Sequence, residues 1–203
     1  MIAVLLAGGR GQRMGGGDKP LRMLAGRSLL DHAIGRVAPQ VSAMVLNANG
    51  DPARLAGFGL PVIADPLPDF PGPLAGILAG LRWAQAMHPK VTDVLSVPTD
   101  TPFLPHDLVA RLLAGRGRQP LACAVSGGWT HPVIGLWPVA LADGLEAALR
   151  AGERKIDAFT ARHGVTEVEF STRPFDPFFN VNQPDDLTAA EALMVLYPDT
   201  ANQ

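Results

Sequence analysis

The sequence has 203 residues, 47% hydrophobic and 18% charged, so the chain is long and apolar enough to bury a core without disulfide or metal staples. Its net charge of −2 excludes the strongly basic surface typical of nucleic-acid binding, and we find no apolar run of about 18 residues that would span a membrane. The one cysteine, Cys123, excludes a disulfide framework or a multi-cysteine zinc site and indicates a reducing, cytoplasmic compartment. Its apolar surroundings predict an inert thiol in the core.

The first half of the chain alternates short apolar runs with amphipathic segments. The runs predict parallel strands, because strands buried on both faces are continuously apolar, and the segments predict helices. In chain order we expect a strand at 2–6, a helix at 29–38 capped by Ser28, strands at 43–46 and 61–64, a helix at 74–87, a strand at 91–97 and a helix at 105–113. This order predicts an α/β fold, a three-layer Rossmann-like sandwich with a mostly parallel central sheet.

The second half is less regular. We expect strands at 121–125 and 132–137, helices at 139–150 and 154–162, a strand at 165–170 and a helix at 184–196. No linker or repeat divides the chain, so a single domain over 1–203 is predicted.

A glycine-rich loop follows the first strand. Six of the 22 glycines lie between Gly8 and Gly17, where backbone N–H groups can approach phosphate oxygens without a Cβ in the way. Arg13 and Lys19, one of only three lysines, add positive charge. A flexible surface loop is the alternative, but the strand before the loop and the cations within it favour phosphate binding.

The spacing within this loop excludes two common nucleotide motifs. A P-loop is absent because Lys19 lies between Asp18 and Pro20. A dinucleotide fingerprint is absent because Met14 stands where the third glycine belongs and the second strand ends near Asn47.

Asp100 follows the strand at 91–97, so its carboxylate is expected at the same sheet edge as the glycine loop. A single carboxylate beside phosphates suits Mg²⁺. The alternative is that Asp100 caps the next helix.

Six segments occur in one order: LAGGRGQRMGGGDK at 6–19, NAN at 47–49, PGPLAGILAGL at 71–81, VPTDTPFLP at 97–105, HPVIGLW at 131–137 and FFNVNQPDDL at 178–187. Together they resemble the molybdenum cofactor guanylyltransferases, within the nucleotidyltransferase superfamily of nucleotide-diphospho-sugar transferase type. The resemblance runs from Ile2 to about Leu193. Two departures are Pro20 directly after Lys19, and Gln183 where the family more often has Thr.

The resemblance implies Mg²⁺-dependent transfer of GMP from GTP to the terminal phosphate of molybdopterin or its molybdenum-loaded form, giving pyrophosphate and a guanine dinucleotide cofactor. It also implies a nucleotide-binding half at 1–115 and an acceptor-binding half at 116–203. The implied nucleotide-binding residues are Leu6, Ala7, Gly8, Gly9, Lys19, Asn47, Asp65 and Asp100, with Asp100 as the metal ligand. The implied acceptor-binding residues are Gly15, Gly72, Gly76, Asn180 and Asn182.

The chemistry fits these residue types. A phosphate monoester is already about doubly charged near neutral pH, so the reaction needs charge neutralisation more than a strong base. We therefore assign catalytic roles to Arg13, Lys19 and Asp100. We expect His131 to be structural, the other histidines (His32, His88, His106 and His163) to be solvated, and the tryptophans Trp83, Trp129 and Trp137 to lie in the core or at the rim of the site.

Two alternatives stay open at this point. The chain could be a cytidylyltransferase or sugar-1-phosphate nucleotidyltransferase of the same superfamily, or a non-catalytic carrier of GTP and molybdopterin. We expect a cytoplasmic monomer that meets other cofactor-biosynthesis proteins or molybdoenzyme chaperones, and neither nucleic acid nor membrane.

Overall fold

The computed structural model describes residues 1–8, 18–67 and 72–198. The strands in these ranges are β1 (Ile2–Leu6), β2 (Met23–Leu24), β3 (Arg27–Ser28), β4 (Ala43–Asn47), β5 (Val62–Ile63), β6 (Asp93–Pro98), β7 (Leu121–Ser126), β8 (Trp129–Pro138) and β9 (Val165–Phe170). The α-helices are α1 (Leu29–Val37), α2 (Pro73–Met87), α3 (Leu108–Gly115), α4 (Ala142–Arg150), α5 (Ile156–His163) and α6 (Pro184–Leu196). None of the helices described here is long and apolar enough to cross a membrane.

Seven strands form one sheet in the order β5-β4-β1-β6-β8-β7-β9. Only β8 is antiparallel to its neighbours, and the other pairs run parallel. The mostly parallel sheet predicted from the apolar runs is therefore confirmed. Because β8 pairs with both β6 and β7, the sheet is continuous from the first half of the chain into the second.

Helices cover both faces of this sheet, as the alternation of side chains along β1 makes clear. Ala3 and Leu5 pack into the core beneath α1 and α3, whereas Ile2 and Val4 pack into the opposite core beneath α2, α4 and α5. Successive strand residues point to opposite faces, so a central strand that is apolar at every position serves two cores. The predicted three layers are confirmed.

Two glycines let α2 approach the sheet closely. A Cβ on Gly80 would lie 2.6 Å from Cβ of Val4, and a Cβ on Gly76 would lie 2.2 Å from Oδ1 of Asn47. Both distances are far below van der Waals contact, so only glycine fits. This close packing is the reason that the amino end of α2 reaches the last residue of β4.

The structure differs from the sequence-based prediction in local detail. A short antiparallel hairpin, β2–β3, precedes α1 and was not predicted. Ser28 caps α1 as expected: its Oγ accepts a hydrogen bond from the Asp31 amide at 3.0 Å, and the Asp31 carboxylate accepts from the Ser28 amide at 3.2 Å. The helix expected at 105–113 begins at Leu108, and residues 139–141 form a 3-10 turn before α4.

Cys123 is buried in β7, as predicted, and burial raises the pKa of its thiol to about 11. At neutral pH the group is therefore an uncharged, unreactive thiol.

Candidate functional site

The carboxyl ends of three neighbouring strands form the floor of the candidate site. In register, Leu6 at the end of β1 lies between Asn47 at the end of β4 and Pro98 at the end of β6. The Ala7 amide donates to the Asn47 carbonyl at 2.8 Å, and the Thr99 hydroxyl donates to the Leu6 carbonyl at 3.3 Å. The backbone leading into the glycine-rich loop is thus held from both sides.

Lys19, Asp100 and Asn182 meet above this floor. The Lys19 ammonium lies 2.5 Å from a carboxylate oxygen of Asp100 and 2.5 Å from the amide oxygen of Asn182. The side chains of Lys19 and Asp100 are 13% and 21% exposed, so the pair is reachable from solvent yet partly desolvated. Lys19, which was predicted to bind the nucleotide, therefore contacts both the predicted metal ligand, Asp100, and a predicted acceptor-binding residue, Asn182.

The segment at 180–182 lies directly along the loop that carries Asp100. The Val181 amide donates to the Asp100 carbonyl at 2.9 Å, and the Thr101 hydroxyl donates to Oδ1 of Asn180, also at 2.9 Å. At the start of α6 the Asn182 amide donates to the Asp186 carboxylate at 2.7 Å. These bonds place Asn180 and Asn182, both exposed, beside the Lys19–Asp100 pair.

A second cluster lies at the end of β4, on the other side of β1 from Asp100. The Asn47 amide nitrogen donates to Asp65 at 2.9 Å, and the Asn49 amide nitrogen donates to the other Asp65 oxygen at 2.7 Å. The Asp65 amide returns a bond to Oδ1 of Asn49 at 2.9 Å. Asp65 therefore presents a carboxylate whose orientation is fixed at both oxygens.

The glycines predicted to bind the acceptor occupy two different positions. Gly72 precedes α2 with φ of 136°, a conformation that favours glycine, and it is exposed. Gly76 is buried in the second turn of α2, against Asn47 and Leu6. In the structure, Gly76 therefore packs closely beneath the cluster of Asn47, Asn49 and Asp65.

Leu6, Ala7 and Gly8 are described, and they continue from β1 toward the site. Gly9, Arg13 and Gly15 lie outside the described residues, so their assigned roles stay predictions.

The donor set around Asp100 suits a metal ion that the substrates would largely coordinate. Within the described ranges, no group of three or more His, Cys, Asp or Glu side chains could hold a metal by itself. Mg²⁺ is commonly held by one or two carboxylates together with substrate phosphates, and Asp100 supplies a carboxylate at this sheet edge.

A partly buried hydrogen-bond network around Ser126 was not found by sequence reasoning. The Ser126 hydroxyl, which is fully buried, lies 2.8 Å from Nε2 of His131 and donates to the Asp176 carboxylate at 2.8 Å. Asp176 also accepts from the Phe178 amide at 2.9 Å. Because the Ser126 hydroxyl donates its proton to Asp176, it is not arranged as a nucleophile activated by His131. It instead links the side chains of His131 and Asp176. These hydrogen bonds tie the segment before Asn180 to β7 and β8.

The prediction that His32 is solvated is wrong. His32 is only 7% exposed, and its Nε2 lies 3.0 Å from the carbonyl oxygen of Leu24. Burial lowers the pKa of His32, as it does that of His131. Trp137 belongs to the core, where its indole N–H donates to Ser96 at 2.8 Å, whereas Trp129 is 77% exposed.

The chain is similar to several known proteins over most of its length. A family model described as "MobA-like NTP transferase domain" matches residues 3–167. A protein of Rhodopseudomonas palustris named "Molybdenum cofactor guanylyltransferase" is 59% identical over 194 residues, 94% of this chain and 92% of the relative. A protein of the same name from Bradyrhizobium sp. is 55% identical, covering 95% of this chain and 92% of the relative. Among solved structures, "Molybdopterin-guanine dinucleotide biosynthesis protein A" from Archaeoglobus fulgidus superposes with a TM-score of 0.72 at 26% identity, covering 97% of this chain and all of that one.

Proposed function

The chain belongs to the family of MobA-like NTP transferase domains, and from this membership we propose that it is a molybdenum cofactor guanylyltransferase. It transfers GMP from GTP to the terminal phosphate of molybdopterin or of its molybdenum-loaded form. The names of the relatives support this assignment. The observation that carries it is the meeting of Lys19, Asp100 and Asn182 at the carboxyl edge of the sheet.

In the reaction, an oxygen of the acceptor phosphate attacks the α-phosphorus of GTP. The bond from that phosphorus to the oxygen shared with the β-phosphate breaks, and pyrophosphate leaves. Both reactants are anions, so the main barrier for the protein to lower is charge repulsion. Lys19 and Arg13 neutralise the β- and γ-phosphates and the departing pyrophosphate, and the backbone at 6–8 orients the triphosphate.

Asp100 is the residue that would hold a Mg²⁺ ion, which when bound supplies further charge neutralisation at the phosphates. Between turnovers, the Lys19 ammonium balances the Asp100 carboxylate. Asn182 bonds to the same ammonium and so couples the segment after β9 to the phosphate side of the site.

The Asn47–Asn49–Asp65 cluster is the proposed contact for the nucleoside. It lies at the end of β4, next to β1, so a triphosphate above β1 extends its nucleoside toward it. A carboxylate held at both oxygens accepts hydrogen bonds without having to reorganise, which is what selective recognition of donor groups requires.

Pyrophosphate release with each of the four nucleoside triphosphates tests the proposal, using Mg²⁺ and a molybdopterin source. We expect release with GTP and a guanine dinucleotide product on chromatography. Release with CTP in place of GTP would support a cytidylyltransferase, and release with a sugar-1-phosphate acceptor would support a sugar nucleotidyltransferase. Thermal stabilisation by GTP without release would support a carrier.

It stays a prediction that the chain works as a cytoplasmic monomer. Its interaction with other cofactor-biosynthesis proteins or molybdoenzyme chaperones also stays a prediction.

A further inference from the structure

Arg54 lies beside both parts of the candidate site. It belongs to the 3-10 turn Pro52–Phe58, which follows β4. Asp51 caps this turn by accepting a hydrogen bond from the Ala53 amide at 2.9 Å, and the side chain of Leu55 anchors the turn in the core, where it is fully buried. The backbone that carries Arg54 is therefore fixed relative to the sheet.

The Arg54 guanidinium joins two segments that are distant in the chain. Its Nη2 donates to the Asn49 carbonyl at 3.1 Å, and its Nη1 forms an ion pair with a carboxylate oxygen of Asp18 at 2.7 Å. The side chains of Arg54 and Asp18 are 24% and 35% exposed. Because the two nitrogens belong to one rigid, planar group, they hold the two partners at a fixed separation.

Asp18 connects Arg54 to the phosphate side of the site. It lies between the glycine-rich loop and Lys19, and its carbonyl accepts from the Leu21 amide at 3.0 Å. Its side chain makes no capping hydrogen bond to the 3-10 turn Lys19–Leu21 and instead contacts Arg54. Arg54 thus holds the residue next to Lys19, whose ammonium pairs with Asp100.

Asn49 connects Arg54 to the Asn47–Asn49–Asp65 cluster. The Asn49 amide nitrogen donates to the Asp65 carboxylate at 2.7 Å, and its Oδ1 accepts from the Asp65 amide at 2.9 Å. By binding the Asn49 carbonyl, Arg54 holds the backbone from which this side chain projects. One guanidinium therefore links the segment that carries Lys19 to the proposed nucleoside contact.

We propose that Arg54 is a positioning residue, which holds the phosphate-binding and nucleoside-binding parts of the site at the separation that one nucleotide needs. This role rests on the proposed function, which puts the phosphates near Lys19 and the nucleoside near Asp65. A nucleotide that contacts both parts binds more tightly when they are already ordered, because less conformational freedom is lost on binding. Arg54 acts on the nucleotide through Asp18 and Asn49.

Calorimetric titration with GTP and Mg²⁺, without an acceptor, tests this role. We expect Arg54→Gln and Asp18→Asn each to weaken binding about three- to tenfold, as changes within a network that acts on a site through other residues do. The double variant should bind within about twofold of the weaker single variant, since the two side chains act through one contact. A double variant whose loss is the product of the two single losses would overturn the proposal.

Arg54→Lys separates the effect of charge from that of geometry. Lysine keeps the positive charge but has one nitrogen in place of the two that contact Asp18 and Asn49. This variant should bind GTP about threefold or more weakly than the unmodified protein. Equal affinity would show that charge alone is needed and would exclude the proposed link between the two segments.

Arg118→Gln is the matched control, because Arg118 is exposed just before β7, at the opposite edge of the sheet from Asp100. It should leave the affinity for GTP unchanged. Equal weakening by Arg118→Gln and Arg54→Gln would indicate a general charge effect and contradict a specific role for Arg54.

Melting temperatures and kinetics distinguish positioning from a structural role. A partly exposed ion pair adds little stability, so Arg54→Gln should lower the melting temperature by no more than about 4 °C. In the transfer assay, KM for GTP should rise while kcat stays within about twofold. A large loss of melting temperature with unchanged GTP affinity, or a lower kcat at unchanged KM, would overturn the proposal.

Failure of the proposed function would be seen in the unmodified protein, as binding of another nucleoside triphosphate in place of GTP or as binding without transfer. The titrations are then made with the triphosphate that the unmodified protein binds. Failure of the positioning role would be seen only when the variants are compared with the unmodified protein.

Discussion

The Lys19 ammonium and the Asp100 carboxylate lie 2.5 Å apart although 81 residues separate them in the chain. The ion pair joins the end of the glycine-rich loop to the loop after β6. It keeps both charges partly desolvated and balanced at the place where a triphosphate would bind.

Removing either member of this pair should slow guanylyl transfer strongly. We expect Lys19→Ala and Asp100→Asn each to lower kcat by about 10²- to 10³-fold, the loss typical of one electrostatic stabiliser. The free energy of unfolding should change by no more than about 1 kcal/mol, because the pair is partly exposed. The double variant should be only a few-fold slower than the slower single variant, since residues that act together are not additive.

Lys90→Ala is the matched control for the lysine, because Lys90 is exposed in the turn before β6. It should retain full activity. Undiminished turnover in Asp100→Asn would remove Asp100 from the mechanism.

Adding a methyl group at Gly76 should damage both packing and nucleotide binding. A Cβ there would lie 2.2 Å from Oδ1 of Asn47 and 2.7 Å from a methyl carbon of Leu6. Overpacking of this kind costs about 1–3 kcal/mol. Gly76→Ala should therefore lower the melting temperature and raise KM for GTP.

Gly80→Ala provides the comparison, because its Cβ would meet Val4 in the core, at 2.6 Å, and not a site residue. It should destabilise the fold to a similar extent and leave KM for GTP nearly unchanged when assayed below the melting transition. An equal rise of KM in both variants would contradict the specific link from Gly76 to Asn47.

Replacing Asp65 by asparagine should weaken GTP binding about tenfold or more. The Asn47 and Asn49 amides donate to the two Asp65 oxygens, and an asparagine amide can satisfy only one of them while pointing an NH₂ group at the other. Calorimetric titration with GTP measures the effect. Asp51→Asn, at an exposed acid that caps the 3-10 turn at 52–58, should leave the affinity unchanged. Equal affinities for Asp65→Asn and the unmodified protein would exclude Asp65 from the nucleotide site.

The Ser126 hydroxyl should contribute measurably to stability. Ser126→Ala would leave His131 and Asp176 without their shared partner, at a cost of about 1–3 kcal/mol. Urea unfolding followed by circular dichroism gives the value. Ser42→Ala removes an exposed hydroxyl bond of 2.7 Å to the Met1 carbonyl and should change stability by less than about 0.5 kcal/mol. If both variants lose the same small free energy of unfolding, the hydrogen bonds of Ser126 stabilise the fold no more than an exposed hydrogen bond does.

Stability should fall as the pH drops below about 6.5, the ordinary pKa of histidine. Burial lowers the pKa values of His32 and His131, so the unfolded chain binds protons at these positions more readily than the folded chain. The contribution of the two neutral histidines to stability is therefore fully present above the pKa that they have in the unfolded chain. It is lost as the pH falls through the lower pKa values that they have in the folded protein. Glu146 and Glu153, whose pKa values are also lowered by their partners, titrate below their ordinary value of 4.5 and affect a more acidic range.

Urea unfolding at pH 7.5 and 5.5 checks this expectation. The protein should be less stable at pH 5.5, and His131→Gln should reduce the difference. Equal stability at the two pH values, or an unchanged difference in the variant, would contradict it.

Simple rules predicted much of the framework. Continuous apolar runs identified β1, β4 and β6, and the shared edge of parallel strands correctly brought Lys19 and Asp100 together. The contact from Lys19 to Asn182 could not be derived in this way, because nothing local in the sequence specifies how a segment 163 residues away folds back. The resemblance to a known family placed Asn182 in the site, and the structure gives its bond.

The failure at His32 has a local cause. His32 and Arg36 are four residues apart on α1, a spacing that is equally compatible with a solvated polar face. The β2–β3 hairpin provides the Leu24 carbonyl next to His32. Two-residue strands carry almost no periodic signal, so the hairpin, and with it the burial of His32, was not predictable.

The position of Asn182 also sets an order of assembly during translation. Strands β1, β4 and β6 leave the ribosome well before residue 182 is added, and β4 and β6 can pair with β1 as soon as they emerge. The ammonium of Lys19 acquires its Asn182 partner only after residue 182 has been added. A nascent chain arrested before that residue therefore carries the Lys19 and Asp100 charges without the amide that ties them to the last helix.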